Sequence, residues 1–132
     1  TKSGGPIAAA WAVMHHLGDD GYQRLTAAAR STALRMADFI DAHPALELRA
    51  RPDSTLLCFG TTDELRHDVF AVADALNALG WYVDKQSPPK SIHLTVNAVH
   101  EKVVDEFLED LSGVLDAVGT AQGSAGSYGT VD

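Results

Sequence analysis

The segment "PIAAAWAVM", Pro6 to Met14, is apolar at every position, and it constrains the fold more than any other feature of the chain. Pro6 suits the first turn of a helix, where its missing N–H costs nothing, and Gly18 is a ready stop. Together they predict a helix from Pro6 to about Leu17. A helix that is apolar on every side is ordinarily covered all round. A chain of 132 residues has enough length for one domain with a core but not for two. It has few places to enclose such a rod, so another chain or another domain is expected to cover it.

The rest of the chain alternates between two periods. Asp19 and Asp20 open a second helix with carboxylates near its positive end. Tyr22, Leu25, Ala29, Met36, Phe39 and Ile40 recur at three- and four-residue steps, with Arg24, Arg30, Arg35 and Asp38 on the other face, and Pro44 ends the helix at Ala42 or His43. The period then becomes two. Leu46, Leu48 and Ala50 alternate with Glu47, Arg49 and Arg51 as a half-buried strand. Pro52-Asp53-Ser54 is a turn, and Thr55 to Phe59 is the hairpin partner. Thr61 and Glu64 form a capping-box pattern ahead of an apolar stripe of Leu65, Val69, Ala73, Leu76 and Leu79, closed by Gly80. Trp81-Tyr82-Val83 reads as a third strand, Ser87-Pro88-Pro89 as a rigid connector, and Ile92, Leu94 and Val96 as a fourth strand. A last helix carries Val103, Val104, Phe107, Leu108, Leu111, Val114, Leu115 and Val118, with an acidic solvent face. This order predicts an α+β fold, a small and mostly antiparallel sheet of about four strands with helices on one face. The expected division is a connecting helix over 1–18, a small α+β domain over 19–118, and a flexible tail over 119–132 that has too little apolar surface to fold alone.

Charge and cysteine usage narrow the function classes. The net charge of −8 argues against nucleic acid and anionic membrane surfaces, both of which select for Lys/Arg patches. No stretch approaches the roughly 20 apolar residues of a membrane helix. The single cysteine, Cys58, gives no internal disulfide framework and no Cys-rich metal site, and a reducing compartment, the cytoplasm, is the simplest context. The chain starts at Thr1 rather than Met, which reads as a processed, truncated or cleaved product.

Few residues point to chemistry. His15 and His16 are adjacent, and neighbours on a helix diverge too far to chelate one ion well. His93 and His100 bracket a strand without a carboxylate or thiol at ligand spacing, and His43 sits at a helix end; no metal site is expected. Cys58 lies in an apolar strand, where core packing accounts for it better than the electropositive setting a nucleophile needs. Ser124, Ser127 and Tyr128 lie in the tail and form no Ser/His/Asp arrangement. Trp11 and Trp81 read as core or interface. The stretch from Thr1 to Gly5 offers a hydroxyl, a cation, flexible glycines and a helix N-terminus, a combination that favours phosphate, although an ordinary N-cap accounts for Ser3 equally well.

Four stretches resemble one family. "TKSGGPIAAAWAVMHHLGDDGY" resembles a Gly-Ser-Arg-x-Gly segment followed by an Ala-rich helix with Trp and a Gly-x-x-Gly-Tyr turn. "ALGWYVDKQSPPKSIHLTVNAVH" is similar to a Gly-Trp, Pro-x-Ser-Ile-His and strand segment. "VVDEFLEDL" matches the helix that follows, and "GSAGSYG" looks like a short Ala-x-Tyr-Gly element near the C-terminus. In this order they resemble the C-terminal portion of pyridoxal-phosphate-dependent lyases and decarboxylases, with the nearest likeness to the sphingosine-1-phosphate lyase group. The likeness runs from Thr1 to about Val118.

The resemblance implies the small C-terminal domain of a fold-type-I enzyme plus its connecting helix, preceded by a missing N-terminal large domain that holds pyridoxal 5'-phosphate through a lysine, in an intertwined homodimer. It implies that Thr1 takes the place of a serine reaching the phosphate of the neighbouring subunit's cofactor. Lys2 stands where arginine is usual and lacks the bidentate fork. The implied activity of the whole enzyme is retro-aldol cleavage of a phosphorylated amino alcohol, a small-molecule substrate. The alternatives are decarboxylation of an amino acid of the glutamate or aromatic type, and a non-enzymatic module that dimerises through its first helix. Neither Lys85 nor Lys90 sits in the family's cofactor context, so the chain alone is expected to be catalytically inert, with no catalytic residue of its own.

Overall fold

The computed structural model describes residues 3–125 and the backbone of Tyr128–Gly129. Helix α1 spans Gly4–Ala42 and is broken at Gly18, where φ is 57° and ψ is −176°. That backbone conformation is essentially open to glycine alone, so the break stands where the sequence places its stop. The second arm, 19–42, buries Ala29, Ala33, Met36, Ala37 and Ile40, the i, i+3, i+4 pattern of an amphipathic helix. Pro44 forces His43 out of the helix, at φ −89° and ψ 123°, as proline does to the residue before it.

Strands β1 (Leu46–Leu48) and β2 (Leu56–Thr61) pair antiparallel as the expected hairpin. Helix α2 (Val69–Ala78) follows, then β3 (Asp84–Ser87) and β4 (Ser91–Thr95), joined through Pro88-Pro89. A short 3-10 helix (Ala98–Lys102) leads into α3 (Val104–Val118), and a two-residue strand β5 (Tyr128–Gly129) completes the order. The sheet runs β1-β2-β4-β3-β5, antiparallel throughout except where β5 lies parallel to β3. This is the α+β architecture read from the sequence.

Register sorts the strand residues by face. Leu48, Phe59, Ile92 and Lys85 lie opposite one another across four strands and face the helices. Cys58, His93 and Asp84 form the next row, on the side the helices leave open. Phe59, Leu57 and Ile92 meet Ile40, Leu76 and Leu111 in one core. Each is almost completely shielded, and a large apolar side chain contributes about 1.5–3 kcal/mol on such burial.

Two expectations need correction. Thr61 and Glu64 do not cap a helix. Thr61 ends β2, and its hydroxyl donates to the His67 carbonyl at 2.6 Å. Asp63 accepts from the Leu65 and Arg66 N–H groups in a turn, and Leu65, expected in the apolar stripe, is 89% exposed. The helix starts at Val69, capped by Asp68, whose carboxylate accepts from the Phe70 N–H at 3.1 Å. Likewise Trp81-Tyr82-Val83 is not a strand: β3 begins only at Asp84, because Trp81 is committed elsewhere, its indole N–H donating to Asp110 at 2.6 Å.

Candidate functional site

The start of α1 is where sequence and structure both leave groups unsatisfied. Thr1 and Lys2, the residues expected to reach a phosphate, lie outside the described residues. Ser3 occupies the N-cap position in an extended conformation, yet its side chain makes no capping hydrogen bond. A helix leaves its first N–H groups without intrahelical partners, and among the described residues neither the Ser3 side chain nor a first-turn carboxylate answers them. A Cβ added to Gly4 would meet nothing, and one on Gly5 only the Ser3 hydroxyl at 3.8 Å.

The arm behind this tip is bare. Ile7 is 62% exposed, Trp11 59% and Met14 51%, and the alanines between them are exposed as well. His15 rests its ring 4.0 Å from that of Trp11 and uses Nδ1 on the Trp11 carbonyl at 2.9 Å. Exposed apolar surface concentrated on one element marks an interaction site rather than ordinary scatter. The arm is exposed on all its sides, as a rod that no other described residue of the chain covers.

Lys85 and Lys90 are spoken for. Lys85 is only 5% exposed. It pairs with Asp74, donates to the Ser124 hydroxyl at 2.7 Å and carbonyl at 3.2 Å, and stands 5.7 Å from the Phe70 ring centre. Lys90 lies 3.5 Å from both Asp68 oxygens and 5.3 Å from the same ring. Asp68 also accepts from the Gly123 N–H at 3.1 Å, and Asp74 from the Ser124 N–H at 2.7 Å. Burial disfavours the charge on Asp68, but the Gly123 and Phe70 N–H groups and the Lys90 ammonium outweigh it and hold the carboxyl below its usual value. Burial likewise opposes the charge on Asp74, and Lys85 with the Ser124 N–H and hydroxyl outweighs it. Within the stretch read as a flexible tail, Gly123 and Ser124 are thus clasped to α2 and β3, while Ser127 and the Tyr128 side chain lie outside the described residues.

The remaining candidates do not converge. Among the described residues no group of three or more His, Cys, Asp and Glu side chains is placed to hold a metal ion. Cys58 is partly buried and receives the Gln86 side-chain N–H at 3.0 Å. His43 Nδ1 accepts from the Ala45 N–H at 3.2 Å. His93 and His100 line one hollow at the end of β4. Arg30, assigned to the polar face, is half-buried, with Nη1 shielded and unpartnered. The clasp was missed by sequence reasoning, although one signal was present: Val83 and Lys85 share the period of two, which puts Lys85 on the buried side.

Comparison with known proteins places this geometry. No family model matches the chain. The chain is 33% identical over 118 residues to a sphingosine-1-phosphate lyase from Oryza sativa, a match covering 89% of this chain and 21% of that protein. It is 29% identical over 115 residues to a probable L-tyrosine/L-aspartate decarboxylase from Methanothermobacter thermautotrophicus, covering 86% of this chain and 31% of the relative. Among solved structures, a sphingosine-1-phosphate lyase from Burkholderia pseudomallei superimposes with a TM-score of 0.78 at 28% identity, over 88% of this chain and 26% of that one. A tryptophan decarboxylase from Catharanthus roseus shares the fold, with a TM-score of 0.65 at 17% identity over 80% of this chain. The region matched is the C-terminal part of these proteins, and the chain spans about a fifth of the length of the sphingosine-1-phosphate lyases it matches.

Proposed function

We propose that this chain is the C-terminal domain of a pyridoxal-phosphate-dependent carbon–carbon lyase that cleaves a phosphorylated amino alcohol, and that it works within a homodimer. The observation that carries the reading is the bare apolar arm of α1 ending in an uncapped helix start. In the proposed enzyme a large domain and a second subunit cover the arm, and its tip meets the cofactor phosphate of that neighbour. The first 18 residues then act as a connector and 19–118 as the small domain.

The residues at the tip fit a phosphate. The Gly4 and Gly5 backbone is unobstructed, the helix dipole favours an anion there, and the Ser3 hydroxyl is not spent on a cap. The Thr1 hydroxyl and Lys2 ammonium add a donor and a positive charge. The cofactor, when bound, supplies an electron sink for the carbanion left by bond cleavage. The reactive lysine comes from outside this chain, because Lys85 and Lys90 are held in the clasp.

The decarboxylase reading is second, supported by the similarity to the Methanothermobacter enzyme. One assay separates the readings: the chain is expressed together with whatever its reading frame encodes upstream and offered sphingosine 1-phosphate and amino acids. Release of phosphoethanolamine is the expected result. Carbon dioxide from an amino acid supports the decarboxylase, and a start codon directly before Thr1 with neither activity supports the non-enzymatic module. In the active protein, Thr1→Ala is expected to weaken cofactor retention by about 1–3 kcal/mol, the cost of losing a hydrogen bond to a charged group. Unchanged retention contradicts the placement of Thr1.

A further inference from the structure

The pairing of β3 with β4 starts at Asp84 opposite His93. Before Asp84 and after Thr95, the segments 81–83 and 96–97 run outside the sheet. The gap between them opens into a hollow of about 410 Å³, within the range of small-molecule sites. Met36, Val83, Val96, Val104 and Phe107 form much of its apolar lining. Trp81 makes one wall and is fixed in place from two sides, by its hydrogen bond to Asp110 and by the Phe107 ring, edge-on at 5.3 Å between centroids. His100 is also fixed: its Nδ1 accepts from the Asn97 N–H at 2.9 Å, so the neutral ring carries its proton on Nε2. These walls are set by contacts the chain makes without any ligand.

The polar groups of the hollow are unequal. Asp84 lines it, and its ion-pair neighbour among the described residues is His93 Nδ1 at 3.9 Å. Asp38, Asp41, Asp68, Asp74 and Asp105 are each met by lysine or arginine, whereas Asp84 is met by an imidazole. A half-shielded carboxylate at an apolar hollow with a tryptophan wall, in a chain of net charge −8, complements a cation with an apolar body. We propose that this hollow binds a small amphipathic amine, its alkyl or aryl body against the partly exposed Trp81, Leu94 and Val103 and its ammonium on Asp84. The site is separate from the α1 tip and does not depend on the function proposed above.

The test uses the chain with Trp11→Phe, which leaves Trp81 as its one tryptophan. It is titrated with n-octylamine, 1-octanol and n-octanoate at neutral pH, following Trp81 fluorescence and its indole N–H resonance. Octylamine is expected to bind tighter than octanoate by about tenfold, the difference between an attractive and a repulsive partly exposed charge pair, with octanol between them. Asp84→Asn is expected to remove the preference for the amine while octanol still binds. Equal affinities for amine and acid overturn the proposal, as does a preference that survives Asp84→Asn or the absence of any Trp81 response. Should Asp84→Asn fail to fold, the amine-to-acid ratio of the parent chain decides alone.

Discussion

Gly123 has no room for a side chain. A Cβ there would meet the Phe70 carbonyl carbon at 2.2 Å and the Ala71 nitrogen at 2.3 Å, both backbone atoms at the start of α2 that cannot swing aside. Gly123→Ala is therefore expected to lift the 121–125 stretch off α2 and to cost about 1–3 kcal/mol, the penalty for taking the Gly123 N–H away from the buried Asp68 carboxylate. Urea midpoints and faster hydrogen exchange at Ser124 check this, and unchanged protection there contradicts the clasp. The same clasp sets a pH dependence. Asp68 and Asp74 both have folded pKa values below the ordinary 3.8. A depressed carboxyl pKa contributes stability that is full above the unfolded value and is lost as pH falls through the folded one. The protein is expected to hold its stability from neutral pH down to about pH 4 and to lose the clasp's share below it. In Asp68→Asn the Asp68 part of that acid transition disappears while the Asp74 part remains, as thermal melts across the range will show. Lys85 explains why the clasp was hard to foresee. Its place on the buried side was legible from the alternation with Val83. Its partners Asp74 and Ser124 are 11 and 39 residues away, and sequence periodicity carries no information on such pairings.

At the scale of elements, legibility followed periodicity. The second arm of α1, the hairpin of β1 with β2, the strand β4 and helix α3 were all readable, because their apolar positions repeat at 3.6 or 2, and the two helices stop beside Pro44 and Gly119. Helix α2 was readable as a helix but not at its start. Thr61 and Glu64 have the spacing of a capping box, yet pairing of Thr61 with Leu46 in the sheet took precedence, and Asp68 supplied the cap instead. The strand expected at Trp81 failed for a related reason: a β-rich tripeptide was taken over by a tertiary hydrogen bond. Two substitutions test this level. Leu111 is fully shielded in the face α3 turns to the core, and Leu111→Ala is expected to cost about 2–5 kcal/mol, read from chemical denaturation. Gly18 joins the arms in a conformation closed to alanine, so Gly18→Ala carries a strain of about 1–3 kcal/mol unless the break disappears. Spin labels at Ala10 and Ser31 then report either a longer separation, as the arms straighten, or the old separation with lowered stability. An unchanged separation at unchanged stability contradicts the role given to Gly18.

For the whole molecule, the sequence carried the architecture and the need for a cover, because both follow from where apolar residues recur. It carried little of the chemistry, since in the function proposed above the reactive lysine comes from outside this chain. No helix among the described residues is long and apolar enough to cross a membrane. The hollow beside Asp84 was equally invisible, since it arises where two segments separate rather than where they pair. The central claim is that residues 4–17 form a docking rod. Sedimentation velocity of the chain and of an Ile7→Glu/Trp11→Glu double variant, over a range of concentrations, tests it most directly. The account predicts concentration-dependent self-association of the parent chain through the arm, abolished in the double variant while the fold of the remainder is retained. A parent chain that stays monomeric at every concentration, or association that survives both glutamates, would contradict it.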